Sequence, residues 1–113
     1  MIIVDTNLLP ELEKTDIFKE LKKFSEFGEI VLFEGSLREL KKLKKSKLIL
    51  EIIKRNKIKI IKTRESYVDN AILNNADPKK DAVATNDKKL IKKLKLKNVN
   101  VIRLRQRRYF VLE

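Results

Sequence analysis

Histidine, cysteine and tryptophan are all missing from this 113-residue chain, and each absence closes a line of chemistry. Without cysteine there is no disulfide framework and no thiolate metal site, and without histidine zinc also loses its usual ligands. An imidazole general base is excluded, as is any serine or cysteine triad that depends on one. Catalysis here would fall to carboxylates, hydroxyls, lysines and bound cations. Only two glycines occur, Gly28 and Gly35, so neither a Walker-type phosphate loop nor a dinucleotide fingerprint can be built, which sets nucleotide-dependent functions aside. No apolar run approaches the roughly 20 residues that cross a bilayer. The opening MIIVDTN has neither the basic region nor the long apolar stretch of a secretory leader, and a cytoplasmic protein is the expectation.

What the chain has in excess is positive charge: 28 Lys+Arg against 16 Asp+Glu, a net +12 and a pI of about 10.0. Such an imbalance favours a polyanionic partner, nucleic acid above all. A heat-adapted surface would explain the number of charges but not their excess of one sign. No segment sets a basic face against an exposed aromatic one, so a membrane surface is the poorer partner. Hydrophobic residues make up 42% of the chain, enough for one core, and residues 1–113 read as one domain.

Strands and helices alternate along the sequence. Ile2 to Val4 is a short apolar run suited to a strand buried on both faces, ending at Asp5. Pro10 is placed to open a helix whose stripe, Leu12, Ile17, Leu21 and Phe24, continues toward Gly28. Ile30 to Phe33 is the second strand, after which Ser36 can cap a helix with Glu39 in capping-box spacing and Leu37, Leu40 and Leu43 inside. A helix over Leu48 to Ile53 and a strand over Ile58 to Ile61 follow. Ser66 can start a helix carrying Ile72, Leu73 and Ala76, bounded by Pro78. Ala82 to Thr85 is a strand, Leu90, Ile91 and Leu94 mark a helix, Val99 to Leu104 is a strand, and Tyr109 to Leu112 adds an edge strand. This order predicts an α/β fold with a parallel sheet covered on both faces.

In such sheets ligands sit beyond the carboxyl ends of the strands. Asp5 and Asp87 both follow strands and can reach that edge, although Asp5 also suits an Asx turn and Asp87 a helix N-cap. On a helix, Asp69 shares its face with Ile72 and Ala76, which points the carboxylate inward, where it needs a lysine partner or a metal. Glu39 borders the apolar stripe of its own helix, as a capping-box member or as a fourth acid. Four acids converging in so basic a chain would need a hard cation, and Mg²⁺ or Mn²⁺ accepts oxygen ligands. Such an ion activates water and neutralises a phosphodiester oxygen, which joins the acids to the basic surface through phosphodiester hydrolysis. Asp81, just before its strand, reads as a turn residue.

The segments MIIVDTN, SLREL, YVDNAIL and VATNDKKL together resemble the PIN-domain nucleases, in particular the archaeal VapC-like branch, which is also similar to PIN proteins of ribosomal RNA processing. The resemblance covers nearly the whole chain. It implies a PIN-like three-layer α/β/α domain with a central parallel sheet, and a pocket binding Mg²⁺ or Mn²⁺ for cleavage of single-stranded RNA. It assigns the catalytic and metal-binding acids to Asp5, Glu39, Asp69 and Asp87, with Asn7 and Thr85 as supporting polar residues. Related sequences often carry two adjacent acids at the third position, where this chain has Asp69 and Asn70; the 18-residue spacing to Asp87 favours Asp69. The partners implied are RNA and either a cognate antitoxin or pre-ribosomal particles, in a family whose members often dimerise.

Lys88, Lys89, Lys92 and Lys93 behind Asp87, with Arg103, Arg105, Arg107 and Arg108 near the C-terminus, are the expected phosphate contacts. Tyr109 and Phe110 are the aromatics best placed to stack on bases, though packing of an edge strand is the competing use. Two other classes compete with a ribonuclease. One is a non-catalytic RNA-binding module of the same fold; the other is a phosphotransfer or phosphatase domain with Asp5 as nucleophile, which would need further acids around the first strand.

Overall fold

The computed structural model describes the backbone of residues 1–113 and every side chain except that of Thr15. Six strands form one sheet: β1 (Ile2–Val4), β2 (Ile30–Phe33), β3 (Lys59–Ile61), β4 (Ala82–Ala84), β5 (Asn100–Arg105) and β6 (Tyr109–Leu112). Their spatial order is β3-β2-β1-β4-β5-β6; β1 to β5 are parallel, and β6 returns antiparallel to β5 through a tight hairpin. The expected parallel sheet is therefore the body of a mixed one. The helices are α1 (Thr15–Lys22), α2 (Glu34–Leu40), α3 (Ser46–Arg55), α4 (Val68–Asn75) and α5 (Lys88–Leu96).

Side chains of a strand alternate between faces, and the core divides accordingly. Ile2, Val4, Leu32, Ile102 and Leu104 face one way and pack against Leu9, Leu21, Leu40 and Ile53. Ile3, Val31, Val83 and Val101 face the other way, against Val68 and Ile72 of α4 and Leu90 and Leu94 of α5. The result is the α/β/α sandwich that the alternation of elements called for. The central strands β1 and β4 are apolar throughout because both of their faces are covered.

Three local expectations are corrected. The single helix from Pro10 is instead a 3₁₀ helix, Thr6–Glu13, with Pro10 inside it, followed by α1 after an extended Lys14. Proline has no N–H to donate and its ring crowds the carbonyl four residues back, so an α turn is disfavoured here and the tighter winding that begins with Leu8 N–H donating to Asp5 O (3.0 Å) is kept. The stripe survives the break: Leu12, Ile17 and Leu21 are all buried. Ser36 does not cap α2. That helix starts at Glu34, and Ser36 lies buried within it, accepting a hydrogen bond from Thr6 Oγ1 at 3.0 Å, so no capping box with Glu39 forms. Likewise α4 is entered from Tyr67 and not from Ser66.

Gly35 earns its place by close approach, since a Cβ there would lie 2.9 Å from Val68 Cγ2. Glycine thus sets how near α2 lies to the start of α4. Gly35→Ala is expected to destabilise the fold by about 1–3 kcal/mol through overpacking, measured by urea unfolding. An unchanged midpoint would show that Val68 yields without cost.

Candidate active site

Asp5 and Thr85 sit side by side because β1 and β4 are paired in register, Val4 opposite Ala84. The ladder runs one step further, with Asp5 N–H donating to Ala84 O at 3.0 Å. At these strand ends Asp5 is 3% exposed, and its carboxylate accepts a 2.7 Å hydrogen bond from Thr85 Oγ1. The same Thr85 oxygen accepts from Asp87 N–H at 3.1 Å. One hydroxyl therefore joins the first acid to the backbone of the last.

Asp87 is the N-cap of α5, its Oδ1 accepting from the N–H groups of Lys89 (2.9 Å) and Leu90 (3.3 Å). Capping and a ligand role are compatible: among the described residues, the second carboxylate oxygen carries no hydrogen bond. Asn86 fixes the loop from behind, donating to Leu104 O (3.1 Å) and accepting from Leu104 N–H (2.9 Å).

The electrostatics follow from this packing. Burial pushes the Asp5 carboxyl up to about 6; the Thr85 hydrogen bond opposes the rise, while the charges of Asp69 and Asp87 add to it. Among the described residues no lysine or arginine lies within 4.0 Å of Asp5, Asp69 or Asp87. The alternative of a lysine neutralising Asp69 is thus not realised.

Asp69 is close enough to Asp5 to act on it, yet it does not point inward. It is exposed in the first turn of α4, whose buried face is Val68, Ala71 and Ile72. The expected stripe failed because Ala76 lies past the helix in extended backbone, so only Ile72 of the proposed pair counted. Glu39 is exposed on α2, outside the pair of carboxylates that raise Asp5. Among the described residues no three carboxylates stand close enough to grip one ion as a set. The donor chemistry still fits a hard divalent ion that keeps part of its water shell: oxygen ligands only, with uncompensated negative charge.

Asn7 is exposed and, with Glu11, Asn86, Asp87, Leu104 and Arg107, borders a recess of ≈ 370 Å³. Lys88, Lys89, Lys92 and Lys93 line the exposed face of α5. Arg107 stands at the recess, 3.4 Å from Glu11, and Arg108 lines an adjacent cleft with Lys14. Arg103 is engaged by Glu113 at 3.3 Å, and Arg105 is 4.0 Å from the same carboxylate. Phe110 is core, whereas Tyr109 is 40% exposed. Asp81 is structural: it is buried at the opposite end of β4, accepting from the Met1 amine and from Asp77 N–H, each at 2.8 Å.

Two residues around the acids, Thr6 and Asn86, escaped notice in the sequence, and a third, Ser36, was read only as a helix cap. Thr6, whose backbone N–H also serves Asp5, and Ser36 form a buried hydroxyl pair, and Asn86 clamps the Asp87 loop. A polar residue directly behind a buried strand was the available signal in both Thr6 and Asn86.

A six-stranded α/β/α sheet with acids at the ends of its two central strands defines a PIN-like fold, and residues 2–107 match the family described as "PIN like domain". The chain belongs to that family. Among its relatives, Ribonuclease VapC4 of Methanocaldococcus jannaschii is 33% identical over an alignment covering 96% of this chain and 93% of that protein. The PIN domain endonuclease Utp24 superposes with a TM-score of 0.81, covering 99% of this chain and 90% of its own at 23% identity, a likeness of fold.

The Asp5 environment carries a sign. A carboxyl whose folded value lies near 6 against an ordinary 3.8 binds more protons folded than unfolded between those values. Its contribution to stability is therefore full below about pH 4 and is lost as pH rises through 6, an order of magnitude of about 2–3 kcal/mol. Asp5→Asn is expected to raise the thermal midpoint of the metal-free protein at pH 7.5 and to flatten its change between pH 4.5 and 7.5, followed by circular dichroism in chelator. Identical pH profiles for the two proteins would contradict this.

Proposed function

We propose that this chain is a metal-dependent endoribonuclease that hydrolyses phosphodiester bonds of single-stranded RNA, with Mg²⁺ or Mn²⁺ as its cofactor. One observation carries the reading: a desolvated Asp5 carboxylate, pressed by two further acids and left without a cationic side chain in a protein of net +12. A site so arranged calls for a mobile cation, and the 33% identical relative is named a ribonuclease.

Asp5, with Asp87 and Asp69 about it, would hold the ion in part through waters the ion keeps, since the three do not stand close enough to grip it as a set, and Glu39 would stand farther out on α2. When bound, such an ion lowers the pKa of a coordinated water and neutralises charge on the phosphate. The protein's own part is positional. Thr85 holds Asp5 in one orientation, the α5 cap holds Asp87 in another, and Asn7 faces the recess where the strand would lie. The N-terminal end of α5, with Lys88 and Lys89 beside it, favours the phosphate that approaches the acids. Arg105, Arg107, Arg108 and Lys92 extend the contact along the backbone, while Arg103 must first leave Glu113.

The test is cleavage of single-stranded RNA with Mn²⁺ or Mg²⁺. Chelator should abolish it, and Asp5→Asn, Asp69→Asn and Asp87→Asn should each lower kcat/KM by on the order of 100-fold or more, with a smaller loss for Glu39→Gln. Chelator-resistant cleavage unchanged in all three variants would reject the mechanism. Binding with no cleavage by the wild type would favour the non-catalytic module, the reading consistent with the wide spacing of the acids and with Asn70. Growth arrest on expression would place the enzyme as a toxin with a cognate antitoxin. Co-purification with precursor ribosomes would place it in ribosomal RNA processing.

A further inference from the structure

Aromatic side chains are few, five Phe and two Tyr, and they are not equally packed. Every phenylalanine is buried or half-buried and Tyr109 is 40% exposed, whereas Tyr67 is 72% exposed. Single exposed apolar side chains are ordinary on a protein surface, so exposure alone assigns Tyr67 nothing. Its place in the fold does more. β3 runs parallel to β2, and Ile61 at its end is level with Phe33 at the end of β2, so the chain leaves both strands at the carboxyl edge of the sheet. From there residues 62–67 lead into α4, whose first residue, Val68, lies against Gly35 just behind β2. Asp69, two residues after Tyr67, is close enough to Asp5 to add to the rise of its carboxyl. Tyr67 is therefore carried at the same edge as the acids, on the β2 side of Asp5, while the recess with Asn86, Asp87 and Leu104 lies on the β4–β5 side.

The backbone that carries the ring is fixed, and the ring is left open. Ser66 C=O accepts from Arg38 Nη2 at 3.3 Å, and Tyr67 C=O accepts from Ala71 N–H at 3.0 Å. Just before them, the Glu65 carboxylate accepts from the side-chain amides of Asn75 (3.0 Å) and Asn74 (3.3 Å). Val68 on the other side is 2% exposed. Residues 65–68 are thus tied to both α2 and α4. Nothing in this local structure asks for tyrosine: position 67 is the N-cap of α4, where Ser, Thr, Asp or Asn would serve better, and its side chain makes no capping bond. A tyrosine ring turns on only two χ angles, so one presented from a fixed backbone loses little freedom when another flat group settles on it.

We propose that Tyr67 is a stacking platform for one base of the RNA, that of a nucleotide next to the acids. The inference rests on RNA being the substrate. Unpaired bases of a single strand can be splayed onto an aromatic face, and every base has such a face of its own, so the contact adds affinity without choosing a sequence. In a duplex the bases are already stacked on one another, which makes the platform a means of favouring single strands. Arg38, exposed and bonded to the carbonyl just before Tyr67, supplies a cation beside it for the adjoining phosphate. The two aromatics expected from the sequence to stack are less suited: Phe110 is core, and Tyr109 stands on β6, two strands beyond β4.

The variants are made in the Asp5→Asn background, and binding of a dye-labelled, unstructured RNA of about 12 nucleotides is followed by fluorescence anisotropy across salt concentrations. Tyr67→Ala and Tyr67→Leu should each weaken binding about tenfold, while Tyr67→Phe, which keeps the ring, should stay within about twofold of its parent. The slope of log affinity against log salt should be the same in all of them, because no charge is removed. Equal affinities for Tyr67→Ala and Tyr67→Phe overturn the proposal. The lack of tryptophan gives a second reading, since in a Tyr109→Phe variant Tyr67 is the sole tyrosine. Its emission should be quenched by the RNA and not by inorganic polyphosphate, which has the charge without the bases. Emission unmoved by RNA, or quenched as strongly by polyphosphate, also overturns the proposal. If the Asp5→Asn protein binds no RNA, the RNA reading and the platform fall together. If the wild type binds but does not cut, the nuclease reading falls alone, and the Tyr67 variants still decide the platform.

Discussion

The site depends on one buried hydrogen bond, that between Thr85 Oγ1 and Asp5 at 2.7 Å. A carboxylate at the end of a strand covered on both faces has left water behind, and a short bond from a neutral donor is the least that can hold it ionised. Because the same hydroxyl also accepts from Asp87 N–H, the two acids are oriented by one atom. The register of β1 against β4 is what makes this possible, since it sets Asp5 and Thr85 abreast. Sheet, loop and helix cap are thus parts of one arrangement for keeping negative charge where the fold would otherwise expel it.

Charge is segregated around that arrangement. The carboxyl ends of the central strands carry Asp5 and Asp87, with Asp69 close by, and burial raises the Asp5 carboxyl with a smaller addition from its two acidic neighbours. Exposed cations lie on α5 and the β5–β6 hairpin, and many more along residues 41–64. Few have acid partners, so most remain available to solvent and to a polyanion. A uniformly basic surface would attract RNA equally everywhere. Unpaired acids grouped in so basic a chain instead mark one place where negative charge is concentrated.

Much of this was legible in the sequence, for reasons that differ by residue. The strands were legible because double-sided burial demands unbroken apolar runs, as in Ile2 to Val4 and Ala82 to Ala84. Asp5 and Asp87 followed from their place just behind those runs. The helix boundaries were harder. Ser36 has a capping residue's chemistry, but the chain enters α2 two residues earlier and needs the hydroxyl inside, against Thr6. Asp69 was placed near the site but given the wrong orientation, because whether Ala76 belongs to the helix is settled by the turn that follows and not by periodicity. The bond of Arg103 to Glu113 depends on where the hairpin brings the last residue, which no local pattern encodes.

Asn86 occupies both the N–H and the C=O of Leu104. In a strand those two groups face the same side of a single residue, so a slip of β5 by one position would present the clamp with the neighbouring peptide's opposite edge. The aim of the Asp87 carboxylate and the alignment of the penultimate strand are in this way a single degree of freedom. An error in threading β5 would misplace the Asp87 loop together with the core residues Val101, Ile102 and Leu104.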